Sequence, residues 1–329
     1  MAFLSQLKGS LQGRRKYIDN VSETSSGTGE GISLTNSKGL TKFYSFNDFK
    51  DKSTTGFCGL SNQGATCYLN SLLQALYFTP GLLSHIYEWR YDSELHPPSE
   101  SCPMYQLQTL FAEMQLSNKA AVSTAGLTKS FGWFDREAFQ QQDVQEMKGA
   151  ILQIFETSSE ALYQYVSETL TGKYTSYIHF IGTEFRRERV EEFKDIQLVI
   201  KGLKSVEEAL QHHVAPEVMD GDNQIMCEQL GCKADSHKGM KFKALPNTMT
   251  LQLKRFDMDY QRMCQIKLAD EITIPLSLNM QEYVEHVEHD EGQKEKNNDD
   301  WIYDLYAVCV HSGSAMGGHY FSYMRRDEK

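Results

Sequence analysis

Apolar residues recur along this chain with two periods, and the change from one to the other divides it. From Cys67 onward Leu69, Leu72, Leu73, Leu76 and Tyr77 fall on one face at helical spacing, and Pro80 closes the segment. A second helix begins after Pro103, with Met104, Leu107, Leu110, Phe111 and Met114 in one stripe, and a third carries Val144, Met147, Ile151, Ile154 and Phe155. Such stripes are ordinary core and assign no function. Beyond Gly172 the pattern changes to strands: residues 174–181 and 195–200 are rich in β-branched and aromatic side chains, and Met249, Leu251 and Leu253 alternate with Thr250, Gln252 and Lys254. Residues 303–310 and 320–324 read as two further strands. Residues 1 to about 55 show little periodicity, with small polar residues over 22–31, and read as a flexible tail without a core. Residues 281–300 hold eight acidic side chains against two lysines and read as an exposed loop. Helices followed by strands predict an α+β protein.

Composition narrows the class. A chain of 329 residues, 40% hydrophobic and 23% charged, can bury a large core as one elaborate domain or two lobes. A formal charge of −11 argues against nucleic acid and suits a basic partner. Seven irregularly spaced cysteines give no disulfide framework, which indicates a reducing compartment, cytoplasmic or nuclear. The apolar start of the chain is too short for a signal peptide and no stretch approaches membrane-spanning length, so no membrane partner is expected. Arg14-Arg15-Lys16 reads as a solvated basic patch or a localisation element.

The candidate chemistry centres on Cys67, where the loop Gly59-Leu-Ser-Asn-Gln-Gly-Ala-Thr66 runs into a helix. Unpaired N–H groups and the positive end of the helix dipole favour a thiolate there, and the thiolate is the nucleophile. Thr66 is a candidate N-cap, and Asn62 can offer an amide to an oxyanion. Far along the chain, His311-Ser-Gly-Ser-Ala-Met-Gly-Gly-His319 places a histidine after a Gly/Ser loop and before a strand, as suits a general base, with Gly317 and Gly318 allowing close approach of a substrate backbone. Cys67 and His319 can meet only by folding.

These segments resemble the ubiquitin-specific proteases, a papain-like family of cysteine deubiquitinases. Residues 59–74 are similar to that family's cysteine box and 311–323 to its histidine box; Gln141-Gln-Asp-Val-Gln-Glu146 and Leu251-Gln-Leu-Lys-Arg-Phe-Asp257 are similar to two segments between them. The resemblance covers about 56–324. It implies a papain-like fold with a helical thumb (56–171), β-ribbon fingers (172–245) and a β-sheet palm (246–329, expected to be truncated at its C-terminal end). It implies that Cys67 is the nucleophile, His319 the base and later the acid, and Asn62 an oxyanion donor. Asp143, Glu146 and Gln142 then become candidates for recognising the arginine-containing ubiquitin tail, with Gly317, Gly318 and Tyr320 lining its path. The implied partners are ubiquitin and ubiquitinated proteins.

Two departures from the family pattern keep alternatives open. Many relatives carry two Cys-x-x-Cys knuckles in the fingers; here Phe180 and Thr183 stand in place of the first, and Cys227 and Cys232 form a single pair, which His179 and His237 could complete only at non-motif spacing. A metal-free finger and no cofactor are expected. The Asn or Asp that orients the family's histidine is absent after His319, while Phe43-Tyr-Ser-Phe-Asn-Asp48 is similar to its motif, so Asn47 takes the orienting position in a permuted arrangement or the orienter lies beyond the present C-terminus. The activity implied is cleavage after ubiquitin's C-terminal glycine. The alternatives are a catalytically impaired ubiquitin-binding scaffold and a protease for another ubiquitin-like modifier.

Overall fold

The computed structural model describes residues 1–6, 32–35, 41–44, 56–133, 143–285 and 301–325. They fall into two compact units, one from residues 17–165 and 307–329, the other from 1–16 and 166–306. Among the described residues the chain passes between them after Tyr165 and again at Ala307, within the strand Ile302–Ser314.

The first unit is built on helices: α1 (Cys67–Tyr77), α2 (Leu82–Glu88), α3 (Pro103–Leu116), α4 (Ala125–Ser130), α5 (Val144–Ser158) and α6 (Glu160–Tyr165). Helix α3 starts with Pro103 in its first turn and buries the five residues its stripe predicts. Helix α5 buries Leu152 along with the expected residues, while Ile154 is half-buried. Helix α1 differs from its one-face pattern, because ten of its eleven residues are buried, among them Asn70, Ser71 and Gln74. A helix enclosed on all sides must satisfy its polar side chains internally. Asn70 donates to the carbonyls of Leu60 and Ser61, Gln74 to that of Cys58, and Ser71 to that of Tyr68. The amides thus hold the strand Gly59–Ser61, which runs parallel to Ala121–Ser123, against α1.

The same unit contains the long hairpin from the second half of Ile302–Ser314 and the strand Gly317–Met324, in register from Ala307 opposite Met324 to Ser314 opposite Gly317. The segment expected to be a flexible Gly/Ser loop is therefore mostly ladder, with only Ala315 and Met316 in the turn. Glycines at 313 and 318 make this possible. Gly313 sits at φ 129°, and a Cβ on it would meet the carbonyl oxygen of Gly317 at 2.6 Å.

The second unit is mostly sheet. A four-stranded antiparallel ribbon runs in the order Arg186–Phe193, Gly172–Phe180, Ser236–Ala244, Glu217–Met219. A second sheet pairs Thr248–Lys254 in parallel with Ile196–Val199, flanked by α7 (Val206–Val214), whose N-cap Ser205 accepts from the N–H of Glu208. Both elements were legible as strands. The strict alternation expected of 248–254 does not hold, because Thr248 and Thr250 are buried as well as Met249 and Leu251. This strand begins covered on both faces.

The reading of residues 1 to about 55 as a coreless tail fails at its start. Ala2–Ser5 is a strand antiparallel to Thr248–Lys254, with Ala2, Phe3 and Leu4 no more than 1% exposed. Three consecutive apolar residues before Ser5 suffice for a strand buried on both faces, a run too short to carry a period. Ile32–Thr35 and Thr41–Tyr44 pair antiparallel. Phe3→Ala is expected to cost about 3–5 kcal/mol, read as a fall in the chemical-denaturation midpoint, whereas a tail residue would cost nothing measurable.

Candidate active site

The strand Gly59–Ser61 is fixed by the N–H of Gly59 donating to the carbonyl of Ala120 at 2.7 Å, and the chain turns through Gly64 at φ 114° before entering α1 at Cys67. Cys67 is 2% exposed. Asn62 Oδ1 accepts both the N–H and the hydroxyl of Thr66 at 3.1 Å, and its Nδ2 donates to the carbonyl of Gly64 at 3.2 Å. The amide expected to serve an oxyanion is thus first a brace for the loop, and only its second Nδ2 hydrogen remains to be offered. Thr66 stands at the N-cap position but makes no capping bond. Its buried hydroxyl is turned back into the loop, accepting from the N–H of Gln63 at 3.0 Å and donating to Asn62.

The strand Gly317–Met324 packs along α1. The N–H of Tyr320 donates to Cys67 Sγ at 3.4 Å, and the thiol of Cys309 donates to the carbonyl of Ser71 at 3.4 Å. His319, half-buried, immediately precedes the residue whose amide meets the sulfur, and lies opposite Ser312 in the ladder. The backbone beside His319, far from Cys67 in sequence, thus lies against its sulfur. On the other face of this hairpin His311 packs against the Tyr320 ring, centroids 4.6 Å apart. Gly318 lies between, where a Cβ would meet His311 Nε2 at 2.5 Å and overlap the carbonyl oxygen of Ser312.

The electrostatics around the thiol exclude competing roles. Burial pushes the Tyr68 phenol up to about 12, with the charge of Cys67 adding to it. Burial likewise pushes Tyr320 up to about 12, helped by Asp143, Cys67 and Cys309. Both phenols stay neutral near pH 7 and neither is a base. Burial drives the Cys309 thiol up to about 11, so it is no nucleophile there.

Asp143 is the N-cap of α5, its Oδ1 accepting from the N–H of Gln145 at 2.7 Å. Glu146 is exposed in the first turn. The charge of Asp143 is felt at Tyr320, which brings it to the edge of the thiol site. Gly317 and Gly318 are exposed. Gln142 and Asn47 lie outside the described residues. Sequence reasoning missed the buried amides Asn70 and Gln74; two amides four apart within an apolar helical run are the signal that could have found them.

The finger tip does not fit the zinc site seen in the resemblance. Phe180 is fully buried, the Arg187 guanidinium lies 5.5 Å from its ring centroid and donates to the carbonyl of Met226, and Thr183 closes the turn by donating to the carbonyl of Phe180. Cys227 and Cys232 are partners in the hairpin of Ile225–Cys227 and Cys232–Ala234, as His179 and His237 are in the neighbouring ribbon. Among the described residues no group of three or more His, Cys, Asp or Glu side chains could hold a metal ion. Metal analysis is expected to find well under one zinc per chain, and a chelator to leave the melting temperature unmoved; stoichiometric zinc lost together with the fold would contradict this.

Comparison with known proteins bears on the whole arrangement. Human ubiquitin carboxyl-terminal hydrolase 47 is 36% identical over 348 aligned positions, which cover 89% of this chain and 25% of the relative. Ubiquitin carboxyl-terminal hydrolase 15 of Schizosaccharomyces pombe is 34% identical over 87% of this chain and 24% of its own length. The chain therefore spans about a quarter of these curated relatives. Among solved structures, the SAGA Ubp8/Sgf11/Sus1/Sgf73 DUB module bound to ubiquitin aldehyde matches with a TM-score of 0.68 at 24% identity, over 82% of this chain and 62% of the matched one, a likeness of fold. The α+β architecture is that of the papain-like ubiquitin-specific proteases. The family model for ubiquitin carboxyl-terminal hydrolase matches residues 58–329, from just before the thiol loop through the histidine hairpin, and the chain belongs to that family.

Proposed function

We propose that this chain is a thiol-dependent deubiquitinase, with Cys67 as nucleophile and His319 as its base. The observation that carries the reading is the donation from Tyr320 N–H to Cys67 Sγ, because it sets the backbone next to His319 against the sulfur at the start of α1. His319 takes the thiol proton and sulfur attacks the carbonyl carbon of ubiquitin's terminal glycine. Asn62 supplies one donor to the oxyanion. Collapse breaks the C–N bond, the departing amine takes the proton from His319, and water then cleaves the thioester with His319 again as base. Asn47, which lies outside the described residues, is one candidate orienter of that histidine. Ubiquitin and ubiquitinated proteins are the partners this assigns.

The compartment proposed is the cytoplasm or nucleus: none of the seven cysteines is in a disulfide, as a reactive thiol needs. Among the described residues no helix is long and apolar enough to cross a membrane. Incubation with ubiquitin carrying an electrophilic C-terminus is expected to give one adduct, on Cys67. Failure to react, with binding retained, would favour the scaffold; reaction only with another modifier so activated would reassign the substrate.

Asp143, with Glu146 and Gln142 beside it, is proposed to meet an arginine of the ubiquitin tail, and Gly317, Gly318 and Tyr320 to flank the tail's end. The N-cap role of Asp143 must be separated from this. Asp143→Asn keeps an N-cap side chain and removes the charge. It is expected to weaken ubiquitin engagement by about 1.5–3 kcal/mol, seen as a raised KM, with an unchanged melting temperature. Asp143→Ala should add a loss of about 1 kcal/mol of stability. An unaltered KM in Asp143→Asn would leave the residue a helix cap and nothing more.

A further inference from the structure

The loop that delivers Cys67 is held from its far side by Gln63, whose side-chain amide is engaged at both ends. Its Nε2 donates to Thr124 Oγ1 at 2.7 Å, and its Oε1 accepts from the hydroxyl of Thr128 at 3.2 Å. Both threonines are about fully buried, at 0% and 1% exposed, one at the N-cap position of α4 and the other one turn in. Thr124 passes the bond on, donating to Asn70 Oδ1 at 3.5 Å, and Asn70 returns to the carbonyls of Leu60 and Ser61 on the loop's own strand. The N–H of Gln63 meets Thr66, whose own N–H and hydroxyl meet Asn62. The circuit runs from α4 through Gln63 to the residues on either side of it, and ends one position before the thiol.

Gln63 is the partner that both threonine hydroxyls share, although each makes a second bond, Thr128 to the carbonyl of Ala125 at 3.2 Å and Thr124 to Asn70, and together these bonds favour one pose of the loop. We infer that Gln63, clamped by Thr124 and Thr128, is a positioning residue that fixes the pose of Asn62 and Cys67, so that the short helix α4 serves as the template of the active loop. The functional part of this inference rests on the thiol-protease reading above; the structural part does not.

The test uses substitutions that separate hydrogen bonding from shape, in the whole chain. Thr128→Val keeps the volume and removes the hydroxyl, Thr128→Ser keeps the hydroxyl and removes a methyl, and Gln63→Leu removes both amide contacts. Gln63→Leu and Thr128→Val are expected to lower kcat for release of a fluorophore from the ubiquitin C-terminus by at least about tenfold, with KM unchanged. Thr128→Ser should recover the rate that Thr128→Val loses. The double variant of Gln63→Leu with Thr128→Val should be no worse than the poorer single one, because one clamp is broken in each case. Independently of any substrate, amide hydrogen exchange over residues 59–67 should quicken in Gln63→Leu while that of α3 stays as it was. Unchanged exchange in the loop would overturn the clamp. Faster exchange with kcat unchanged would overturn the positioning role. Loss of activity in Thr128→Ser but not in Thr128→Val would mean that packing, not the hydroxyl, is what matters. Absence of any turnover in the unsubstituted chain would count against the proposed function, leaving the exchange result to decide the clamp.

Discussion

Cys67→Ala is expected to reduce hydrolysis of a ubiquitin–fluorophore conjugate to background, a loss of at least about ten-thousandfold, while ubiquitin affinity stays within a few-fold. The argument is one of position. The substitution removes one sulfur atom from the first residue of a helix of which nine of the remaining ten residues are buried, so the loss is chemical rather than structural. No neighbouring thiol can substitute. Cys309 is buried with its proton held firmly and donated to Ser71, and Cys58 points back to the carbonyl of Gly59. The exposed Cys232 and Cys264 belong to the other unit. Activity retained in Cys67→Ala would refute the assignment of the nucleophile.

Gly318→Ala is expected to be nearly as damaging, although it adds a single methyl group. At this position a Cβ would overlap the carbonyl oxygen of Ser312, a backbone atom in the opposite strand that can yield only if the ladder shifts, and would press on the ring of His311. His319 is the next residue, and Ser312 is its ladder partner. A displacement of about 1 Å in a catalytic group can cost about a hundredfold in rate, so kcat should fall by roughly that factor. The core lies elsewhere, and the melting temperature should drop only modestly. Wild-type kcat in Gly318→Ala would mean that the hairpin adjusts freely and does not fix the histidine.

These two residues illustrate unequal legibility. Cys67 was readable because a polar, glycine-bracketed loop gives way abruptly to a helical period, and helix ends have known electrostatics. The importance of Gly318 was also visible, but for another reason than the structure gives: the sequence suggests room for a substrate, whereas the geometry adds a tight crossing of two strands. The amphipathic helix α3 and the strands about residues 174–181 were legible from periodicity alone. The burial of Asn70, Gln74 and Thr248 was not, since a periodic pattern reports one buried face and is silent when a second element covers the other. Likewise the brace formed by Asn62 could not be foreseen, because an amide has both donors and an acceptor, and which of them the loop consumes is decided by backbone turns. Ala2–Ser5 escaped because four residues carry no period.

That N-terminal strand also bears on how the protein is made. One of its partners in the sheet is Thr248–Lys254, so Ala2–Ser5 cannot take its final place until some 250 further residues have been made. During that interval Phe3 and Leu4 have no sheet to join, and at about 5–20 residues per second the wait lasts on the order of tens of seconds. Pairing across so long a stretch of chain is slow to nucleate. The unit that contains the thiol includes residues made both before and after this partner strand, so the sheet and the active site are each completed only after residue 254 has been made.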